Sequence, residues 1–456
     1  MSSSIILSRI ETVPKAAEVD LQIARSVEIA FWLAFAGSLG RLILHDHDLL
    51  RLIICRPMLD AAGCILILQG IMTLLEEKRT GAENQKVYLI TYLVLVIALF
   101  EMAHGLISGP KLQLWFQMGL IGFGSGFAVF LAGRPLVFEG VLRAFRQQIL
   151  FADILVGYLL LHWPKESRTD WYWTGQNNEG LGAVANHCFF ALPFLIANYR
   201  RLSSWQLFLV GAGFAEYLTL NLIGENRSAI IIAFVVIPVL LIGIMLRQRE
   251  TLRWVWKTAL CAGIVVIVLF YTASGNDDFE RVMQRFGVAD VSTSHPLETV
   301  SQMNLTIWND FAGSGRRSEE VRELLSDTSF AQFIFGRGFG VSWYAPLWAG
   351  EFSHEWYIVH FGPGYMLLVG GLPLAICFTT LLALAIWKAW VNVTRVPSAA
   401  GALVFLSAAA VNYMQHGILL DEPEFYLLWL CIGFSVGVPK LCRLKREPAP
   451  TTMNCA

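Results

Sequence analysis

Charge is what this chain has least of. Only 15% of its 456 residues are Asp, Glu, Lys or Arg, where a soluble chain carries roughly 25%. With 55% hydrophobic residues and a mean hydropathy of +0.55, most of the chain belongs in lipid rather than in water. The formal net charge of -1 rules out a global attraction to nucleic acid or another polyanion, so any electrostatic recognition must be local. The eight cysteines form no Cys-x-x-Cys pair and fall mostly in apolar runs, where they read as small packing residues. The sequence predicts no cleavable signal peptide, because the first ~25 residues are mixed polar and the first apolar run is long enough to span. It also lacks internal repeats and low-complexity segments, which argues against an inverted-repeat transporter.

What is present is a series of apolar runs. A bilayer-crossing helix needs ~20 mostly apolar residues. Twelve runs qualify, near 26–44, 57–75, 87–107, 112–133, 148–163, 180–198, 204–223, 228–246, 255–272, 364–387, 401–413 and 425–438. The fifth and eleventh are short. The expected fold is therefore all-α and polytopic. It divides into transmembrane helices 1–9 over 1–272, a long loop over 273–362, and helices 10–12 with a tail over 363–456.

Lys and Arg test this layout, since they gather in short cytoplasmic loops. Alternating the loops from an inside N-terminus places 21 of the 34 Lys and Arg residues inside. Of the remainder, six lie in the long loop, where the rule does not apply. Both termini are expected inside, with the long loop outside. That loop is too long for a mere connector. Amphipathic stretches such as Glu319 to Leu325 predict short helices lying over the membrane surface.

Several polar clusters fall on the expected outer face. Gly224-Glu225-Asn226-Arg227-Ser228 joins spans 7 and 8, and Arg227 opens an apolar helix. A guanidinium beside helix-start amides is suited to phosphate, although boundary arginines also snorkel as anchors. The long loop adds Arg281, Arg285, Arg316, Arg317 and Arg337, the last within Gly336-Arg337-Gly338-Phe339-Gly340. Those glycines permit close backbone approach and an amide-plus-guanidinium anion contact. No strand is expected before them, so a dinucleotide fingerprint is rejected. Pairing with Glu319, Glu320 and Asp327 is the ordinary alternative for these arginines.

Ser353-His354-Glu355-Trp356-Tyr357-Ile358-Val359-His360 precedes span 10. A histidine there can act as a general base near neutral pH. His354, Glu355 and His360 do not share one helical face, so no metal and no cofactor are expected. A rival site is His45-Asp46-His47-Asp48, where Asp46 and Asp48 offer a divalent-metal pair or simply a solvated loop. Trp163, Trp171, Tyr172 and Trp173 are interfacial anchors or sugar-stacking rings.

Taken together, these residues resemble the O-antigen ligase and polymerase superfamily of membrane glycosyltransferases. The features that carry the likeness are four. They are the twelve spans with a long loop between the ninth and tenth, and Asn226-Arg227-Ser228-Ala229 at the start of the eighth. To these add Gly315-Arg316-Arg317 followed by Phe335-Gly336-Arg337-Gly338-Phe339-Gly340. Last comes Val359-His360-Phe361-Gly362 running on through Leu367-Leu368-Val369-Gly370-Gly371-Leu372-Pro373. Gly371 stands eleven residues after His360, the spacing of the family's His-Asn motif. Phe361 replaces the usual Asn, Ser or Gln, and Pro363 interrupts the segment. His354-Glu355-x-Tyr357 is a competing match with the wrong Gly spacing.

The resemblance implies a GT-C-like fold in a bacterial inner membrane and an undecaprenyl pyrophosphate-linked oligosaccharide donor. The acceptor is a glycan or lipid A-core, and no nucleic acid is involved. It implies catalytic roles for His360, Arg227 and Arg316, and substrate contacts from Arg317, Arg337, His354 and Glu355. A polymerase and a ligase fit the same cations; the stretch from His360 to Gly371 is closer to polymerase members. A transporter or flippase is the reading from another class. It requires ionisable residues within the membrane, for which Glu28, Glu101, Asp153 and Glu216 are the candidates.

Overall fold

The computed structural model describes residues 15–44, 47–80, 85–162, 191, 194–195, 202–206, 208–213, 316–344, 355–356, 359, 361–393, 397–416 and 422–444. The expected spans at 228–246 and 255–272 lie outside these residues. Those at 180–198 and 204–223 are represented only in fragments.

The regular secondary structure among the described residues is helical apart from one two-residue ladder. Its long helices are α1 (Lys15–Ile43), α2 (Arg56–Thr80), α3 (Gln85–Ile107), α4 (Leu112–Gly133) and α5 (Pro135–His162). Two short helices follow in the loop region, α6 (Arg316–Asp327) and α7 (Phe330–Phe335). The C-terminal helices are α8 (Gly362–Asn392), α9 (Pro397–His416) and α10 (Glu422–Leu444). Among the described residues, five helices are long and apolar enough to cross a membrane, and α9 and α10 carry shorter apolar stretches at Ser398–Met414 and Phe425–Val436.

Helix is the form these apolar runs must take, because lipid offers no partner to a free N–H or C=O. The 23 residues of α3 reach ~35 Å at 1.5 Å per residue, enough for a hydrocarbon core of ~30 Å. Both faces of α3 are apolar. Val94, Leu95, Ala98 and Met102 are buried, while Leu89, Leu93, Val96 and Phe100 are exposed. A helix apolar all round belongs in lipid or in a protein interior, and the exposed half of α3 marks lipid.

Between such helices dispersion and close fit replace the hydrophobic effect, and small residues let backbones approach. α4 lies between α2 and α10 in this way: Gly70 of α2 abuts the Phe127 carbonyl, and Gly433 of α10 abuts that of Val129. α4 is wound unevenly, with a π-helical stretch Trp115–Phe123 running into a 3-10 stretch Gly124–Gly133. The Gly122 carbonyl at the junction accepts from Ser125 Oγ at 2.6 Å and from Trp429 Nε1 at 3.0 Å.

α5 begins well before the expected fifth span at 148–163. Its first half carries Glu139, Arg143 and Arg146, which removes it from a hydropathy window, and it runs beside the polar start of α1. Arg143 Nε meets Glu28 Oε2 at 3.3 Å, and Arg146 donates to Gln206 Oε1 at 3.3 Å. Further along the pair, Phe31 packs edge-on to Phe145, with ring centroids 5.4 Å apart.

Arg134 closes this end of the bundle. It donates to Asp20 Oδ1 of α1 at 2.7 Å and to Glu76 Oε2 of α2. The start of α1, the end of α2 and the α4–α5 corner therefore share one end. The α3–α4 turn around Gly109 and the start of α8 share the other. Helices α1 to α5 thus alternate in direction along the bundle.

Candidate functional site

The second end of the bundle holds most of the sequence motifs that the structure describes. Its centre is a break in α8. Gly370 (φ -125, ψ 19) and Gly371 (φ 62, ψ -168) leave the helical region, and Pro373 follows at the start of the second half, where a missing N–H costs nothing. The break leaves carbonyls without helical partners, and the segment Gly336–Gly340 supplies the missing donors. Arg337 N donates to Leu368 O at 2.8 Å and Gly338 N to Val369 O at 2.9 Å.

Glycine is required on both sides of this junction. Gly336, Gly338 and Gly340 adopt φ of 76, 90 and 77, a region other residues rarely occupy. A Cβ at Gly371 would strike the Ile334 carbonyl, and one at Gly336 would strike that of Val369. The far side of the same segment lies on α3. A Cβ at Gly105 would fall 2.6 Å from Phe339 O and 2.8 Å from its N. Phe339 N donates to Glu101 O at 3.4 Å, and Lys111 N donates to Gly340 O at 2.9 Å. The Phe339 ring, fully buried, packs on Phe123 with centroids 5.1 Å apart, within the cluster formed by Phe378, Phe425 and Trp429.

The structure thus gives the amides of Arg337, Gly338 and Phe339 to backbone carbonyls. The Arg337 guanidinium is similarly engaged. Its Nη2 meets Asp327 Oδ2 at 2.8 Å and the Asp327 carbonyl at 2.6 Å, and its Nη1 donates to Ser342 O at 3.3 Å. Arg337 fastens the end of α6 to the segment leading into strand β1 (Trp343–Tyr344). β1 pairs antiparallel with β2 (Glu355–Trp356), with Trp343 opposite Trp356 and Tyr344 opposite Glu355.

α6 opens with Arg316 and Arg317, whose side chains lie outside the described residues. Near its other end, buried Leu324 faces Gly364 together with Val359 and Phe361; a Cβ on Gly364 would lie 3.7 Å from Leu324, 3.1 Å from Val359 and 3.4 Å from Phe361. Val359 is fully buried, and Phe361 is the residue before α8 begins. α6 therefore reaches the first turn of α8 through Leu324. Glu355 is placed through its backbone in β2. Arg227, His354, His360 and Asp46 lie outside the described residues, as do Arg281, Arg285 and Glu216. Asp48 starts a one-turn helix, Asp48–Leu50.

One polar pair at this end was only half visible in the sequence. Glu101, 3% exposed at its side chain, lies with Oε2 3.1 Å from His104 Nδ1, and His104 is 36% exposed. Both belong to α3, at the face that receives Phe339. Glu101 stands out as an acid in an apolar run. The signal for its partner is a histidine three residues on, one helical turn away. Of the other intramembrane candidates, Glu28 is paired with Arg143, and Asp153 is buried in α5.

No protein-family model and no curated protein matches the chain. What fold and composition define is a class: a helical, multi-pass membrane protein. Within the described residues its distinctive feature is a loop of alternating glycines seated in a broken membrane helix.

Proposed function

We propose that this protein is a metal-independent glycosyltransferase of the bacterial inner membrane. It moves or polymerises a glycan from an undecaprenyl pyrophosphate-linked donor at the periplasmic face. Both termini are cytoplasmic, and about twelve helices span the membrane.

The observation that carries the reading is the meeting of two motif segments far apart in sequence. Phe335 to Gly340 sits in the break within Leu367 to Pro373. Gly371, which stands at the family's spacing from His360, is a position where a side chain does not fit. α6, opened by Arg316 and Arg317, reaches the first turn of α8 at Gly364 through Leu324.

The chemistry follows from the charge that develops. Pyrophosphate leaves readily once its negative charge is balanced, and arginines do this through paired charge-assisted hydrogen bonds. Arg227 and one of Arg316 or Arg317 take that role. A histidine base accepts the proton of the attacking sugar hydroxyl, and His360 is the candidate that the resemblance supplies. Arg337 contributes by holding α6 in place through Asp327. The polymerase form is favoured over a ligase acting on lipid A-core by the stretch from His360 to Gly371.

A second reading, transport of a lipid-linked glycan, draws on the broken α8 and the buried Glu101, since discontinuous helices and intramembrane acids also build transport sites. One assay separates the two. Purified protein is given an undecaprenyl pyrophosphate-linked donor and a glycan acceptor in detergent, with EDTA present. Transfer that persists in wild type and disappears in Arg227→Ala supports the enzyme. Loss with EDTA in wild type moves the site to Asp46 and Asp48. No transfer from a donor and acceptor validated with another enzyme favours transport.

A further inference from the structure

We propose that Glu101 and His104 form an acid–base dyad that takes the proton from the acceptor hydroxyl; this assignment rests on the glycosyltransferase reading above. The geometry is that of an oriented base. Glu101 Oε2 lies 3.1 Å from His104 Nδ1. In the dyad the ionised carboxylate takes the Nδ1–H, which leaves Nε2 as the acceptor. Glu101 is enclosed by protein while the His104 side chain is 36% exposed, so the carboxylate is shielded and part of the histidine side chain is open.

The position suits a reaction at the membrane surface. His104 is three residues and Glu101 six residues from the end of α3 at Ile107. They lie ~5 and ~9 Å below that end at 1.5 Å per residue. The next residue, Gly105, receives the backbone of Gly338 and Phe339, so the dyad borders the junction of loop and broken helix. On its other side stands the exposed ring of Phe100, with its centroid 6.4 Å from the imidazole. His104 thus lies between the lipid-facing side of α3 and the motif-bearing loop, where a lipid-linked substrate would enter sideways.

An acid buried in a membrane helix is costly, and a purely structural role leaves the accessible imidazole without a purpose. In the step assigned here, Nε2 takes the hydroxyl proton as the acceptor oxygen bonds to the sugar anomeric carbon. The bond from that carbon to the pyrophosphate oxygen breaks, and its electron pair leaves with pyrophosphate. The imidazolium, held by Glu101, then returns its proton to water. The dyad and His360 are rivals for this one proton.

The test is steady-state transfer by the full-length protein in detergent, comparing wild type, His104→Ala, His104→Gln, Glu101→Gln and His360→Ala. The dyad predicts that both His104 variants lose about 10²–10⁴-fold in kcat, the usual scale of general-base catalysis. The donor KM should change little, and added imidazole should restore His104→Ala. Glu101→Gln, which disturbs the tautomer without changing shape, should lose at least about tenfold. The proposal is overturned if His104→Ala stays within threefold of wild type while His360→Ala is inert. It is also overturned if the His104 losses resist imidazole and coincide with a lowered melting temperature. A wild type inert toward a validated donor and acceptor overturns the glycosyltransferase reading itself, and the dyad's role with it.

Discussion

Arg337 donates its backbone amide to the carbonyl of Leu368 at 2.8 Å. This bond and its neighbour from Gly338 N to Val369 O join the long loop to the interior of a membrane helix, and they are possible because α8 is interrupted at Gly370 and Gly371. Freed backbone groups inside a membrane must find partners within the protein. The loop supplies donors, and α8 supplies the notch.

Gly371 is the position on which this arrangement depends most. Its φ of 62 is unfavourable for other residues, and a Cβ there meets the Ile334 carbonyl, which is backbone and cannot swing aside. At Gly370 φ is -125, and an added Cβ meets Leu374, including its Cβ at 2.6 Å, which side-chain rotation does not move. Both alanine variants are therefore expected to destabilise, Gly371→Ala by about 3–4 kcal/mol and Gly370→Ala by about 2 kcal/mol, because only Gly371 adds the strain of a positive φ. Equilibrium unfolding in mixed micelles measures both. Equal stabilities for the two variants would contradict the positive-φ break.

Arg337 and Asp327 should be coupled energetically. The Arg337 side chain is 9% exposed and that of Asp327 30%, so the pair lies between a buried ion pair and a surface one. A coupling energy of about 1–3 kcal/mol is expected from a double-mutant cycle of Arg337→Gln and Asp327→Asn. Arg337→Lys should behave like the glutamine variant, since one ammonium cannot reach Asp327 and the Ser342 carbonyl together. A coupling near zero would show that the clasp does not hold α6.

Arg134 offers a pH-dependent test at the opposite end. Burial works against its charge, but hydrogen bonds and charge from Asp20 and Glu76 outweigh that cost and raise its pKa above the usual arginine value. A raised basic pKa contributes stability that is complete below the ordinary value and is lost only as pH rises through the folded one. The destabilisation caused by Arg134→Gln should therefore be the same at pH 7 as at pH 9, about 1–3 kcal/mol for a partly buried network. A penalty that vanishes between those two values would mean that another group carries the contact.

The sequence made some of this legible and hid the rest for physical reasons. The apolar runs at 57–75, 87–107, 112–133 and 364–387 coincide with long helices because hydropathy is a local property. The break inside α8 was hidden because Leu367 to Pro373 is apolar throughout, and Gly-Gly-x-Pro is the trace it left. Gly336–Gly340 looked ready for an anion because its glycines and arginine are visible while the carbonyls of Leu368, Val369 and Glu101 that engage its amides are not. α5 was read too short since its polar half is matched by Glu28 and Gln206, long-range partners that no window can register. Glu101 was noticed as an ionisable residue, but its pairing with His104 needed helical geometry.

Sidedness follows from the same contacts and can be tested directly. Ser108 is exposed just beyond α3, at the end that holds the glycine loop. Ser204 is exposed beside Gln206, which is tied to Arg146 on the polar half of α5. If the loop end is periplasmic, a membrane-impermeant maleimide added to whole cells with a permeable outer membrane should label Ser108→Cys and leave Ser204→Cys unlabelled. Inverted vesicles should reverse the pattern. The parent chain sets the background, and Cys64, exposed on a membrane-spanning face, should contribute little because its thiol faces lipid. Labelling of both positions from one side would contradict the proposed topology, in which Arg227, the long loop and His360 share the periplasmic face, and with it the proposed site.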